Sequence, residues 1–177
     1  VDHTIRYIRD VQQSNTGKPF FAYLALGAAH APLHAPAEFI NKYTGRFDQG
    51  WDKVREQTFE RQKQLGIIPT DSVLPPRNAN VAAWDELTPE QRKVYTRLQE
   101  VFAGFVDHAD HHLGRLFAAL DDMNIGDNTL IIVVSDNGAS QEGLRDGTLN
   151  TDRYRNYTPD TVAEMIGKID QAGSAET

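Results

Sequence analysis

Asp136, Asn137 and Gly138 follow directly on the apolar run Thr129-Leu-Ile-Ile-Val-Val-Ser135. A carboxylate and an amide oxygen side by side offer two hard donors to a divalent cation, which prefers oxygen. In open α/β sheets ligands bind at the carboxyl ends of strands, and that is where this pair falls. The same residue types dominate turns, so a plain turn is the competing reading. His30 holds a similar place. It follows the run Pro19-Phe-Phe-Ala-Tyr-Leu-Ala-Leu26, in the loop Gly27-Ala-Ala-His30-Ala-Pro32-Leu-His34-Ala-Pro36. An imidazole there can hydrogen-bond an anionic substrate or move a proton near neutral pH. The alternative is a histidine satisfied by its own loop. His34, four residues on, reads as a rim residue.

The cluster Asp107-His108-Ala-Asp110-His111-His112 is a weaker candidate. His108 and His112 are one helical turn apart, as two ligands on one helix face would be. No third ligand matches them and no glutamate stands where a metalloprotease base would. A histidine pair at the edge of the core is the default reading. Asp121 and Asp122 close a helix and read as solvated surface. No glycine-rich phosphate loop and no Gly-x-Ser-x-Gly elbow occurs.

Two buried strands must position the first two candidates. Residues 19–26 and 129–135 are apolar almost throughout and bounded by turn residues, as in a parallel sheet covered on both faces. The remaining pattern is helical. Ile5, Ile8 and Val11 mark a helix over 2–13. A polar helix runs from about Trp51 to Leu65, ended by Gly66. Thr88, Pro89 and Gln91 form a helix start. The helix that follows reaches about Met123, with Val94, Leu98, Val101, Phe105, Leu113 and Leu120 on its stripe. Thr158-Pro159-Asp160 opens a last helix carrying Val162, Met165, Ile166 and Ile169. Between 66 and 87 the chain is irregular and rich in proline, the one candidate for a substrate rim.

The fold class that results is α/β, with a mostly parallel central sheet flanked by helices. Two strands are too few for such a sheet, so the chain reads as an internal piece of a larger one. Its 177 residues carry 18 basic and 25 acidic side chains, a net charge of −7, and 40% are hydrophobic. That is enough for a core and excludes wholesale disorder. The acidic balance and the lack of a Lys/Arg run argue against a nucleic-acid partner. No stretch approaches the length needed to span a bilayer, so no membrane partner is expected. With no cysteine there is no disulfide, thiolate site or cysteine nucleophile.

Two blocks carry a resemblance. Lys18-Pro-Phe-Phe-Ala-Tyr-Leu through His30 to Pro36 is similar to the sulfatase segment that precedes a substrate-contacting histidine. Leu113-Gly-Arg-Leu through Leu120 and Asn128 to Gly138 resembles that family's second metal segment. Ala139-Ser-Gln-Glu-Gly143 is similar to the larger bacterial arylsulfatases. The resemblance implies an alkaline-phosphatase-like domain, of which residues 1–177 are a part. Residues 18–36 would be a strand and the His loop, and 45–87 a helix plus an irregular region. Residues 88–138 would give the long helix, a strand and the Asp-Asn metal segment, and 144–177 a polar region with a short helix.

It further implies a sulfuric ester hydrolase acting on small-molecule sulfate monoesters, with Ca²⁺ or another divalent cation such as Mg²⁺ as cofactor. Asp136 and Asn137 would be metal ligands, and His30 would contact the sulfate and help protonate the leaving oxygen. The family's nucleophile is a formylglycine made from Cys or Ser in Cys/Ser-x-Pro/Ala-x-Arg. None of Ser14, Ser72, Ser135, Ser140 and Ser174 begins that motif. The early Asp-Asp metal pair and the later lysine of the family are also missing. The chain by itself is therefore expected to be inactive. Two other readings stay open: a phosphonate or phosphate ester hydrolase of the same superfamily, and a non-catalytic truncated module. The resemblance leaves the compartment open between cytoplasm and periplasm or secretion.

Overall fold

The computed structural model describes residues 1–14, 17–135, 138 and 143–177, and its described residues form six α-helices. These are α1 (Asp2–Gln13), α2 (Ala37–Asn41), α3 (Gly50–Gln64), α4 (Pro89–Asp122), α5 (Thr151–Arg155) and α6 (Val162–Gly167). Single 3₁₀ turns occur at Trp84–Glu86, Gly126–Asn128 and Ile169–Gln171.

Helix α4 is the spine, and its start follows from its sequence. Thr88 Oγ1 accepts the Gln91 N–H at 3.2 Å, and Gln91 Oε1 accepts the Thr88 N–H at 3.0 Å. Two otherwise orphaned donors are thereby satisfied, and Pro89 at the first helical position loses nothing. Both ends of the stripe are buried, at Val94, Val101 and Leu120. Its middle, from Phe102 to Phe117, is only half-buried.

Helix α2, which no pattern in the sequence marks, crosses α4 at Gly104. A Cβ at Gly104 would lie 2.6 Å from Ile40 Cα, so only glycine lets the two backbones meet there. Ile40, Val101 and Ala172 form the core at this crossing, with Leu33, Ala35 and Leu149 packed around it. Helix α1 buries Ile8, and α6 buries Met165 against the same framework.

Helix α3 starts at Gly50, whose φ of +82° is open to glycine and whose missing side chain makes room for the Trp84 ring. The irregular stretch after α3 is pinned back onto it. Trp51 Nε1 donates to the Ala82 carbonyl at 3.1 Å and Arg55 to the Pro75 carbonyl at 2.7 Å. Arg77 pairs with Asp52 at 3.0 Å. Asp52 also accepts the Trp84 N–H at 3.0 Å. That backbone bond, with the Arg77 guanidinium after it, holds its carboxyl below the usual range.

Three expectations need correction. First, residues 19–26 and 129–135 are not strands, and no strand occurs among the described residues. Phe21, Tyr23, Leu130 and Val134 are 84%, 85%, 86% and 76% exposed where burial was expected. The parallel central sheet is therefore not present among the described residues. A strand exists only when its N–H and C=O groups pair with a neighbouring strand, and no such ladder occurs among the described residues. Second, the last helix starts at Val162 and not at Thr158. Thr161 caps it, with Glu164 completing the box. Asp160 is buried instead, as a hydrogen-bond acceptor. Third, Asn150 caps a short helix, α5, that the polar composition after Gly143 concealed.

Candidate active-site residues

His30 stands in the loop that the sequence indicates. Its backbone N–H donates to the Gly27 carbonyl at 2.9 Å, which folds residues 27–30 into a turn. Its side chain is exposed, with Nδ1 2.8 Å from the Ala31 carbonyl oxygen. A carbonyl only accepts, so Nδ1 carries a proton and donates it to Ala31. The peptide bonds Ala28–Ala29 and Ala31–Pro32 in this loop are both cis.

His34 makes a long-range tie. Its Nε2 lies 2.9 Å from the Thr177 backbone oxygen, and the Ala35 N–H donates to the Gly173 carbonyl at 3.1 Å. The His loop is thereby fastened to Gly173 and Thr177. Asp136 and Asn137 lie outside the described residues. Their flanking residues Ser135 and Gly138 are described and exposed. The structure thus places His30 and its loop, and the Asp-Asn pair is known from sequence only.

The histidines of α4 contact one another and helix α2. No group of three or more His, Asp or Glu suited to a metal occurs among the described residues. His108 and His112 are half-buried with their Nε2 atoms 3.0 Å apart. The His108 ring meets Phe39 of α2 edge-on, centroids 4.8 Å apart. Asp107 pairs with Lys42 at 2.9 Å.

Two buried carboxylates escaped the sequence reading. Glu100 accepts the Gly45 N–H at 2.8 Å and pairs with Arg97 at 3.0 Å. Asp160 accepts from the Thr148 hydroxyl, two backbone N–H groups and Arg153. Both are fully engaged within the fold, so they are structural acids. Neither could be told from surface acids by its neighbours in sequence, because the partners of Glu100 include a loop more than fifty residues away. The Tyr95 hydroxyl donates to Asp146. Burial first, and that bond second, push the phenol up to about 12.

Two cavities flank α4. One of about 610 Å³ holds Arg92, Lys93 and Arg97 opposite Asp48 and Glu100. The other, about 390 Å³, is lined by Trp51, Phe59, Leu74, Trp84 and Tyr95. The irregular stretch 66–87 contributes Leu74 and Trp84 to this second, aromatic cavity. His30 lines neither of the two.

The sequence matches the Sulfatase family over residues 1–167, and the chain belongs to that family. It is 38% identical over 135 residues to an uncharacterized sulfatase of Schizosaccharomyces pombe, covering 76% of this chain and 24% of that protein. It is also 38% identical over 123 residues to an arylsulfatase of Klebsiella aerogenes, covering 70% of this chain and 26% of that protein. The chain thus spans about a quarter of the length of these curated relatives.

Proposed function

We propose that the protein carrying these residues is a sulfuric ester hydrolase that cleaves aryl or similar sulfate monoesters. The reading is carried by the sulfatase match across residues 1–167, and an arylsulfatase is among the relatives. Asp136 and Asn137 hold a divalent cation, and His30 acts on the leaving group. The donor chemistry fits a hard cation: a carboxylate and a carboxamide oxygen are what Ca²⁺ or Mg²⁺ takes. When present, the cation would neutralise sulfate charge, and a formylglycine would supply the attacking oxygen.

His30 has the simpler task. As the S–O bond to the leaving group breaks, the departing oxygen takes the electron pair and needs a proton. His30 Nε2–H supplies it, while Nδ1 stays hydrogen-bonded to Ala31. The Ala31 carbonyl fixes the ring's orientation, and the tie from His34 to Thr177 steadies the loop.

The test compares matched aryl sulfates and aryl phosphates with the full-length protein and with the 177-residue chain. Sulfate turnover by the full-length protein and none by the chain alone is the expected result, since these residues include no nucleophile motif. Preference for the phosphate ester would move the protein to the neighbouring ester hydrolases. Turnover by the pure chain would overturn the assignment of the nucleophile.

A further inference from the structure

Three helices meet beside the histidines of α4, and the hydrogen bonds there run in one direction only. Arg115 Nη2 lies 2.7 Å from Asp2 Oδ1 of α1. Arg115 Nη1 lies 2.7 Å from His112 Nδ1, and His112 Nε2 lies 3.0 Å from His108 Nε2. A guanidinium has donors and no acceptor. His112 Nδ1 must therefore accept, which leaves the ring proton of a neutral His112 on Nε2. That proton points at His108 Nε2, which must accept in turn, so a neutral His108 carries its proton on Nδ1. No other arrangement satisfies all three contacts.

We propose that Asp2, Arg115, His112 and His108 form a pH-sensitive clasp, in which a neutral His112 holds the Arg115 that fastens α1 to α4. A second proton on His112 sits on Nδ1 and faces the Arg115 N–H, donor against donor. That event costs the clasp its middle bond, between Arg115 and His112. The Asp2–Arg115 pair left behind is 70% and 43% exposed at its two side chains, the kind of ion pair that holds little by itself.

The surrounding charges favour the neutral form on balance. Burial, then His108, Arg115 and His111, hold the His112 pKa below its usual value, and the Asp2 carboxylate of α1 opposes them. On the α2 side the neighbour is the Phe39 ring, which meets His108 and His111. Lys42 sits over that ring at 4.2 Å and is matched by Asp107 at 2.9 Å. The sign follows from the lowered pKa. The clasp's contribution is complete above the ordinary histidine pKa of about 6.5 and fades as pH falls below it. Helix α1 precedes the run Pro19–Leu26, which leads into the His loop, so acidity would loosen the approach to that loop. The clasp itself stands independently of the activity proposed above.

Two readouts test it, neither of them enzymatic. Nitrogen NMR of ¹⁵N-histidine-labelled full-length protein at pH 8 should show His112 protonated on Nε2 and His108 on Nδ1. Hydrogen–deuterium exchange, corrected for its intrinsic pH dependence, should show residues 2–13 losing protection several-fold between pH 7.5 and 5. His112→Asn keeps an oxygen acceptor near Nδ1 for Arg115 and cannot titrate; it should hold α1 at both pH values. Arg115→Gln should leave α1 under-protected at both. His112 protonated on Nδ1 at pH 8 overturns the proposal. So does an α1 whose exchange ignores pH, or one whose pH dependence survives in His112→Asn.

Discussion

Asp160 Oδ1 lies 2.6 Å from Arg153 Nη1, while its Oδ2 collects the Thr148 hydroxyl and the N–H groups of Leu149 and Asn150. One buried carboxylate thus organises the chain from Thr148 to Glu164, since Arg153 reaches on to Glu164 at 3.0 Å. Removing it takes an acceptor from four donors, of which the Thr148 hydroxyl and the Asn150 N–H have a second partner in each other's residue. Asp160→Ala should cost about 3 kcal/mol of unfolding free energy, the scale set for breaking a buried ion pair. Asp160→Asn keeps one acceptor and should cost less. Urea unfolding monitored by circular dichroism checks both, and equal small losses would contradict the role given to Asp160.

Gly104 and Gly114 lie in the same helix and should respond oppositely to alanine. At Gly104 the new Cβ meets the Ile40 backbone at 2.6 Å, and backbone cannot step aside as a side chain can. Gly104→Ala should destabilise by about 1–3 kcal/mol through overpacking at the crossing of α2 and α4. At Gly114 nothing lies within 4 Å of the new atom. Gly114→Ala should stabilise by about 0.5–1 kcal/mol through helix propensity. Thermal melts of the two variants side by side decide this.

Acid below about pH 4.5 should loosen helix α6. The Thr161 backbone N–H first, then Arg153, then the Thr161 hydroxyl, hold the Glu164 carboxyl down at about 2. A depressed carboxylate pKa stabilises the fold above the unfolded value. That contribution is present above about 4.5 and is lost as pH falls toward 2. Glu164→Gln should remove the dependence in this window. Carbon NMR of the Glu164 carboxyl against pH measures it directly, and a titration near 4.5 would refute the capping account.

Removal of the cation should act through Asp136. With Asp136 and Asn137 as ligands, chelation of the full-length protein should abolish turnover, and added Ca²⁺ or Mg²⁺ should restore it. Asp136→Ala should then raise the cation concentration needed for half-activity by an order of magnitude or more, since a carboxylate is the strongest hard donor of the pair. Unchanged cation dependence in the variant would remove Asp136 from the metal site.

The sequence was legible where structure is local. Thr88 and Gln91 announce the start of α4 because a capping box is decided within four residues. Ile5, Ile8 and Val11 announce α1 for the same reason, and Gly66 marks the end of α3. It misled where pairing is needed. Pro19–Leu26 and Thr129–Ser135 have the composition of strands, but strands are completed by neighbours, and the two runs meet none among the described residues. Asp160 and Glu100 were illegible because their partners are set by tertiary contact. His30 was legible in kind, as a histidine on a loop. Its proton assignment had to wait for the Ala31 carbonyl.

The central claim is that His30 protonates the leaving oxygen of a sulfate ester. The direct test is kcat/KM of the full-length protein and its His30→Ala variant on phenyl sulfate and on 4-nitrophenyl sulfate. Phenoxide is the poorer leaving group and needs the proton more. The account predicts sulfate hydrolysis by the wild type, with a loss on phenyl sulfate of about 10²–10⁴-fold in the variant. The loss on the nitrophenyl ester should be clearly smaller. No sulfate hydrolysis by the wild type, or equal losses on both esters, would contradict it.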